Sequence, residues 1–317
     1  MSEIRLDPIT NKKVIVAPKR HKRPSDFQKE MSCPFCEGGA VEKNGVILYE
    51  ICNEKGWCLR GIENKFPIVE KTQAFIKEDG HWSNYGIHEI LIETREHDKN
   101  YFEMREEDFK KIFEVYKKRY RVLGKDDEIN YVAIFKNHGK NAGASLVHPH
   151  SHIIALPFIP CNILEELNGC ENYYTKNQKC VFCDIIDEVI ETKRLKVFEN
   201  DSILAYVPFA GIQPYELIIL PKKHESHFYN ITDEELEDLT KAVNWSFKRI
   251  KNILGDVDFN LMVYTGPINE GHMDHFHWHL KITVRLSYLS GQESDAMIRM
   301  RTTYPEDIAK SIREADQ

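Results

Sequence analysis

Two copies of one pattern of cysteines and histidines divide this chain. Each copy opens with a Cys-x-x-Cys pair, continues with a single histidine and closes with a run of alternating histidines. The copies are Cys33, Cys36, His97, His148, His150 and His152, then Cys180, Cys183, His224, His275, His277 and His279. A shift of 127 residues superimposes all the histidines of the two copies without a gap. A repeat of this kind predicts two similar folded halves.

We place the boundary between the halves near residue 165, with an N-terminal half 1–165 and a C-terminal half 166–317. In each half a buried strand is followed by a segment with apolar residues at helical spacing, and then by two more strands. The helical segments are Glu106–Val122 and Asp233–Leu254, and Thr232 opens a capping box ahead of the second. This order predicts an α+β fold with antiparallel sheets and helices packed on them.

Charge and hydropathy restrict the function. The 317 residues include 43 basic and 50 acidic side chains, a formal charge of −7, which argues against a general nucleic-acid coat. The start of the chain has no apolar signal region, and the longest apolar stretch, 153–164, is broken by Pro157 and Pro160. We therefore expect no membrane span, no nucleic-acid partner and a cytoplasmic location.

The paired cysteines favour metal binding over disulfides. Two thiolates separated by two residues can share one tetrahedral ion, and two histidines complete a Cys2His2 zinc site. The predicted ligands, one zinc per half, are Cys33, Cys36, His97 and His148, then Cys180, Cys183, His224 and His275. His88 competes with His97 for the third position, but the second half has Tyr215 in its place. Alternatives are a second pair that has lost its metal and a redox pair.

The segment 137–150 carries the sharpest sign of chemistry. It runs from Asn137 through the small residues Gly143, Ala144 and Ser145 to His148, Pro149 and His150. Small residues let backbone N–H groups approach an anion closely, and Ser145 adds a hydroxyl. Strand alternation places His148, His150 and His152 on one face. His150 would then point at the anion and could act as a nucleophile on phosphorus. Pro149 predicts an edge strand or a bulge.

These motifs, in this order, resemble the galactose-1-phosphate uridylyltransferase family of the histidine-triad superfamily, over nearly the whole chain. The resemblance rests on 5–10, 14–18 and Lys22-Arg23-Pro24 near the start, on Asn64-Lys65-Phe66-Pro67, and on the Gly-Ala-Ser-x-x-His-Pro-His run. The second half is similar to an ordinary histidine-triad domain. The fold would therefore be a pair of histidine-triad-like halves.

The resemblance also implies roles for individual residues. His150 would be the nucleotidylated nucleophile, and Ser145 would contact the phosphate. Asn64 and Phe66 would border the nucleoside, within a substrate-binding set completed by Asn137, Gly143, Ala144 and Ser145. The family further implies a nucleotide sugar and a sugar 1-phosphate as substrates, and a homodimer.

His152 departs from this family, whose transferases have glutamine two residues after the nucleophile. A third histidine is typical of the hydrolase branches, where an imidazole can act as acid or base. Three hypotheses follow. The first is a UDP-glucose:hexose-1-phosphate uridylyltransferase acting through a nucleotidyl-histidine. The second is a phosphorylase or hydrolase of nucleoside-diphosphate sugars or dinucleoside polyphosphates, and the third is a nucleotide-binding protein without turnover.

Overall fold

The structure is a computed structural model that describes residues 3–9, 12–18, 33–54, 56–71, 75–78, 80–286 and 300–315. Its strands are β1 Glu3–Leu6, β2 Lys13–Val16, β3 Ile47–Asn53, β4 Gly56–Glu63, β5 Lys77–Glu78, β6 His81–Ser83, β7 Ile87–Ile92, β8 Tyr131–His138, β9 His150–Leu156, β10 Lys196–Glu199, β11 Ile203–Tyr206, β12 Leu217–Pro221, β13 Phe259–Tyr264 and β14 His279–Val284. Its helices are α1 Ala40–Asn44, α2 Glu106–Leu123, α3 Cys161–Asn177, α4 Val181–Thr192, α5 Asp233–Leu254 and α6 Pro305–Glu314. The Lys22-Arg23-Pro24 motif lies outside the described residues.

One antiparallel sheet of ten strands runs through both halves, in the order β10-β11-β12-β14-β13-β8-β9-β7-β4-β3. The halves meet where β13 pairs with β8, with Phe259 opposite His138 and Val263 opposite Ile134. A second sheet of four short strands has the order β2-β1-β6-β5. The predicted α+β class with antiparallel sheets is confirmed. The predicted boundary at residue 165 stays a prediction; it falls inside α3.

The repeated unit is strand, helix, strand, strand: β7-α2-β8-β9 in the first half and β12-α5-β13-β14 in the second. Helices α2 and α5 pack side by side on one face of the sheet, and their apolar stripes join one large core. The capping box of α5 is confirmed, since Thr232 accepts the Glu235 N–H and Glu235 accepts the Thr232 N–H. Helices α3 and α4 cover the opposite face, and they do so over the second half.

Pro149 does not mark an edge strand. Strand β9 begins one residue later, at His150, and pairs with β7 on one side and β8 on the other. Pro149 therefore does not interrupt either ladder, and its carbonyl accepts the Glu93 N–H at 3.1 Å. The prediction of an edge or a bulge was wrong because the strand starts after the proline rather than before it.

The C-terminal segment forms α6, as predicted, but it is more than a surface helix. Ile308, Ala309 and Ile312 are buried in the main core, and Arg313 donates to the carbonyl of Lys196 in β10. No helix in the described part of the chain is long and apolar enough to cross a membrane.

A charged network lies beneath the histidine strand, on the side of α2. The Glu93 carboxylate has no exposed surface and receives the Lys136 ammonium at 2.5 Å. Tyr101 donates to the same carboxylate at 2.7 Å, and Ser151 donates to it from β9, between His150 and His152. Burial lowers the pKa of Lys136, although the ion pair with Glu93 opposes that effect.

We expect Lys136→Met to destabilise the protein by about 3–5 kcal/mol, because the substitution leaves the Glu93 carboxylate buried without its counterion. Urea unfolding followed by fluorescence measures the loss. The matched control is Lys110→Met, which breaks an exposed pair between α2 and α5 (Lys110 Nζ to Glu237 Oε1, 2.6 Å). Exposed pairs contribute up to about 1 kcal/mol. Equal losses in the two variants would contradict the assignment.

Candidate active site and metal centres

The first metal centre is assembled from three separate segments. Cys33 and Cys36 come from the turn before α1, His97 follows β7, and His148 precedes β9. Their ligand atoms all lie within 4.8 Å of one another, with Cys36 Sγ 3.2 Å from His97 Nδ1 and 3.5 Å from His148 Nδ1. A tetrahedral zinc holds its ligand atoms about 3.3–3.8 Å apart, so this set fits such an ion.

His97 rather than His88 belongs to this cluster, as the repeat predicted. The Nε2–H of His148 donates to the carbonyl of Thr94 at 2.8 Å, which leaves the Nδ1 lone pair facing the cysteines. Burial raises the pKa of the Cys33 thiol to about 12. A cation among the thiols would oppose this effect, because thiolates are the metal-binding form.

His150 is held with its proton on a known nitrogen. Its Nδ1 lies 2.8 Å from the carbonyl oxygen of His148, and a carbonyl can only accept, so Nδ1 carries the hydrogen. The Nε2 atom therefore carries a lone pair. His150 is 3% exposed, and burial lowers its pKa to about 4, so the ring stays neutral at physiological pH. The Phe35 ring packs edge-on against it at 5.4 Å.

The small-residue loop after β8 is partly as predicted. It makes a tight turn in which the Ala144 N–H donates to the carbonyl of Gly139 and the Gly143 N–H to that of Lys140. The Asn141 N–H donates to Asp258 at 2.6 Å. These three N–H groups already have partners inside the protein, so the expectation that the whole loop presents its backbone to an anion is corrected. Ser145 follows the turn and stays partly exposed, three residues before His148.

Residues of the second half hold this loop in place. Asn260 in β13 donates to the side-chain oxygen of Asn137 at 2.8 Å and to the carbonyl of Ala142 at 2.9 Å. Arg285 donates to Asn260 at 2.6 Å. The described contacts of Asn137 are therefore to the protein, which gives its side chain a supporting part in the site.

The predicted nucleoside-binding pair lies on the other side of β9. Asn64 follows β4, and its oxygen accepts the Phe66 N–H at 2.9 Å. The Asn64 amide nitrogen lies 3.0 and 3.3 Å from the two ring nitrogens of His88, and two such similar distances place the amide over the ring face. Both Asn64 and Phe66 are partly exposed, so a ligand can reach them.

Sequence reasoning missed the role of His88. It was weighed only as a metal ligand, whereas its Nε2 lies 3.0 Å from Nδ1 of His152. The available signal was its place on β7, since β7 and β9 are neighbours and put His88 opposite Ile154, near His152. The interior pair of Glu93 and Lys136 was missed for a similar reason, because nothing in the spacing indicates that they meet.

The second metal centre corrects one predicted ligand. Cys180, Cys183, His224 and His277 lie within 4.8 Å of one another, and His275 is not among them. His275 instead packs its ring 6.5 Å from Tyr174 of α3. Hydrogen bonds from Cys183 and from the two histidines of the cluster lower the pKa of Cys180.

The physical reason is a displacement of two residues in the histidine strand. His277 donates to the carbonyl of Pro221 at 2.9 Å, as His148 does to Thr94. Pro221 is 127 residues after Thr94, but His277 is 129 residues after His148. The gapless shift therefore holds for His224 and fails for the strand that follows. The structural counterpart of His150 is His279, which donates to the carbonyl of His277 at 3.2 Å.

His279 has the same proton arrangement as His150 but no access to a substrate. It is 2% exposed, with Tyr264 stacked on it at 4.7 Å and Phe182 of α4 at 4.9 Å. Its Nε2 faces Oε1 of Glu166 on α3 at 3.5 Å. That oxygen is enclosed although the Glu166 side chain is 29% exposed, and burial raises the pKa of Glu166 to about 7.

Comparison with known proteins agrees with this geometry. Residues 60–160 match the galactose-1-phosphate uridyl transferase N-terminal domain, and residues 189–282 match the HIT domain. ADP-glucose phosphorylase of Arabidopsis thaliana is 33% identical over 98% of this chain and 92% of its own length. The chain belongs to the galactose-1-phosphate uridylyltransferase family. The resemblance predicted from the motifs is confirmed.

Other members of the uridylyltransferase family match over their full length. Galactose-1-phosphate uridylyltransferase of Thermotoga maritima is 29% identical over 100% of this chain and 99% of that protein. A crystal structure of the Arabidopsis thaliana ADP-glucose phosphorylase with bound ADP-glucose has a TM-score of 0.81 and 31% identity, and covers 100% of both chains. A solved uridylyltransferase has a TM-score of 0.85 and 29% identity, covering 99% of this chain and 98% of that one. The family thus contains both transferases and a phosphorylase.

The purified protein is expected to carry two metal ions per chain. His277→Ala should reduce the content to one, because a Cys2His2 site without one ligand binds its ion far more weakly. His275→Ala is the matched control and should retain both ions, since His275 lies outside the cluster. Elemental analysis after extensive dialysis measures the content. Loss of an ion from His275→Ala, with none from His277→Ala, would restore the gapless register.

We expect Glu166→Gln to change how stability depends on pH. A pKa raised from its ordinary 4.5 to about 7 favours the neutral carboxyl in the folded state. The stability from this group is therefore complete below pH 4.5 and is lost as the pH rises towards 7. The amide cannot ionise, so the variant should match the wild type near pH 4.5 and exceed it at pH 8. Thermal unfolding at several pH values measures this, with the exposed Glu171→Gln on the same helix as control. A constant difference between wild type and Glu166→Gln would contradict the pKa shift.

Proposed function

We propose that this protein transfers a nucleotidyl group from a nucleoside-diphosphate sugar to a phosphate acceptor through a covalent intermediate on His150. The observation that carries the proposal is the state of that ring. A neutral imidazole, with its proton fixed on Nδ1 by the His148 carbonyl, presents a lone pair at Nε2. Such a nitrogen is a nucleophile that needs no base to activate it.

The reaction consists of two displacements at the same phosphorus. In the first, Nε2 of His150 forms a bond to the α-phosphorus, and the bond from that phosphorus to the bridging oxygen breaks. The sugar 1-phosphate leaves with the electron pair. In the second, an oxygen of the acceptor phosphate attacks the same phosphorus and His150 leaves. Neither step needs a proton for a phosphate leaving group, whose second pKa is about 6.

The surrounding residues support this chemistry. The Ser145 hydroxyl would stabilise negative charge on the phosphoryl oxygens, where one well-placed donor typically contributes roughly 3–4 kcal/mol. Asn64 and Phe66 would border the nucleoside, with Gly143 and Ala144 shaping the turn beside the phosphates. Zinc at Cys33, Cys36, His97 and His148 would supply no reaction chemistry, because four protein ligands leave no open position. His148 at that site fixes the strand that aims His150.

The preferred substrates are UDP-glucose and a hexose 1-phosphate, as the transferases of the family imply. A second candidate is phosphorolysis of ADP-glucose, favoured by the relative with that name at 33% identity. The predicted zinc in the second half, the homodimer and the cytoplasmic location remain part of the proposal.

The test is to incubate the enzyme with UDP-glucose or ADP-glucose and to follow release of glucose 1-phosphate. A burst of about one equivalent per active site, continuing with acceptor, is the mark of a covalent intermediate. Continuation with galactose 1-phosphate identifies the transferase, and continuation with inorganic phosphate identifies the phosphorylase. Steady release without any acceptor would favour a hydrolase.

His150→Gln should lower the burst and the turnover by roughly four orders of magnitude, as removal of a nucleophile does. The matched control is His279→Gln, which makes the same change at the counterpart in the second half. That variant should keep full activity because His279 is enclosed by α3 and α4. Activity that survives His150→Gln but not His279→Gln would overturn the assignment of the catalytic half.

A further inference from the structure

A chain of three hydrogen bonds leads from the backbone to His152. The Ile68 N–H donates to Nδ1 of His88 at 3.2 Å. Nε2 of the same His88 ring lies 3.0 Å from Nδ1 of His152. His152 lies on the same face of β9 as His150, with ring centroids 5.3 Å apart, and is stacked on Phe135. Its ring is therefore fixed by contacts on two sides.

The direction of the first bond determines the positions of the protons. A backbone N–H can only donate, so Nδ1 of His88 is an acceptor and the proton of the neutral ring sits on Nε2. The Nε2–H of His88 must then donate to Nδ1 of His152. That places the His152 proton on its own Nε2, the far side of the ring.

We propose that His88 is a positioning residue that holds His152 as an N–H donor, so that the nucleotidyl group passes to a phosphate and not to water. This inference rests on the proposed function. A histidine with Nδ1 engaged and a hydrogen on Nε2 offers what a glutamine amide offers, which is one N–H bond pointing away from its support. His152 is thus equivalent to the glutamine that the transferases have there.

The two acceptors differ in what they need from this position. Water becomes a nucleophile only by giving a proton to a base, which must present a lone pair. His152 has no lone pair to offer, because Nδ1 accepts from His88 and Nε2 is protonated. A phosphate oxygen is already anionic at neutral pH and needs no base. An N–H donor can hold such an oxygen near the phosphorus.

The second half gives independent support. At the positions of His88 and His152 it has Tyr215 and Lys281, taking the shifts of 127 and 129 that apply to their two strands. Lys281 forms an ion pair with Glu216 at 2.6 Å. The two histidines are therefore both absent from the half whose nucleophile counterpart is enclosed. A scaffold role for His88 alone would not require the pair to change together.

The first measurement is ¹⁵N NMR of the full-length protein labelled on its histidine rings, with His152→Gln used to assign the His152 signals. We expect the signal of a protonated Nε2 and an unprotonated Nδ1. In His88→Leu the preference should be lost, and His88→Gln should restore it through its own amide N–H. A proton on Nδ1 of His152 in the wild type would overturn the inference.

The second measurement is the partition of isolated nucleotidyl-enzyme between phosphate acceptor and water. His152→Gln should keep transfer within about threefold of the wild type, since one N–H donor replaces another. His88→Leu should lower transfer by roughly 10- to 100-fold and raise the hydrolysed fraction, as loss of one oriented donor does. His88→Gln should recover most of it. His227→Leu, which removes a buried imidazole in the second half, controls for general destabilisation and should leave the partition unchanged.

A loss of transfer by roughly 10²- to 10⁴-fold in His152→Gln would make His152 a general acid or base and overturn the inference. So would an equal effect on the partition in His88→Leu and His227→Leu. Failure of the proposed function has a different signature, since no nucleotidyl-enzyme would then form from either nucleotide sugar. The NMR result judges the hydrogen-bond assignment in either case.

Discussion

The position of one hydrogen on each histidine is the constraint on which the site depends. His148 and His150 each give one ring N–H to a backbone carbonyl, of Thr94 and of His148 respectively. A carbonyl cannot donate, so each ring must direct a lone pair the other way. Because the bonded nitrogen is Nε2 in one ring and Nδ1 in the other, neighbouring rings on one face acquire different duties. One lone pair is directed at the cysteines and the other at a substrate.

The same arrangement of protons occurs twice, and its outcome depends on what covers the sheet. In the second half α3 and α4 lie across the face that carries His279, and Glu166 occupies the space in front of its lone pair. In the first half Phe35 packs at the edge of His150, and the loop that ends at Ser145 stays partly exposed. Reactivity therefore differs between the halves because of packing, and the imidazoles themselves are alike.

The large features could be predicted from the sequence because they follow from local patterns. The duplication, both long helices, the capping box at Thr232 and the first metal cluster all depend on spacing within a segment. The failures concern relations between segments. His277 replaces His275 because a two-residue displacement in one strand is invisible to a shift fitted over several motifs. His88 was overlooked because its partner is 64 residues away, and its meaning depends on which strands are neighbours.

The continuous sheet has a consequence for how such a duplicated chain can change over time. Five residues of β13, Phe259 to Val263, pair with β8 at the centre of the sheet, so either half alone would expose an unsatisfied inner edge. Asn260, beside that junction, also holds the loop of the first half. The second half is therefore kept by its backbone and its edge, whatever happens to its imidazoles. Its former reaction centre is free to drift because selection acts on the seam.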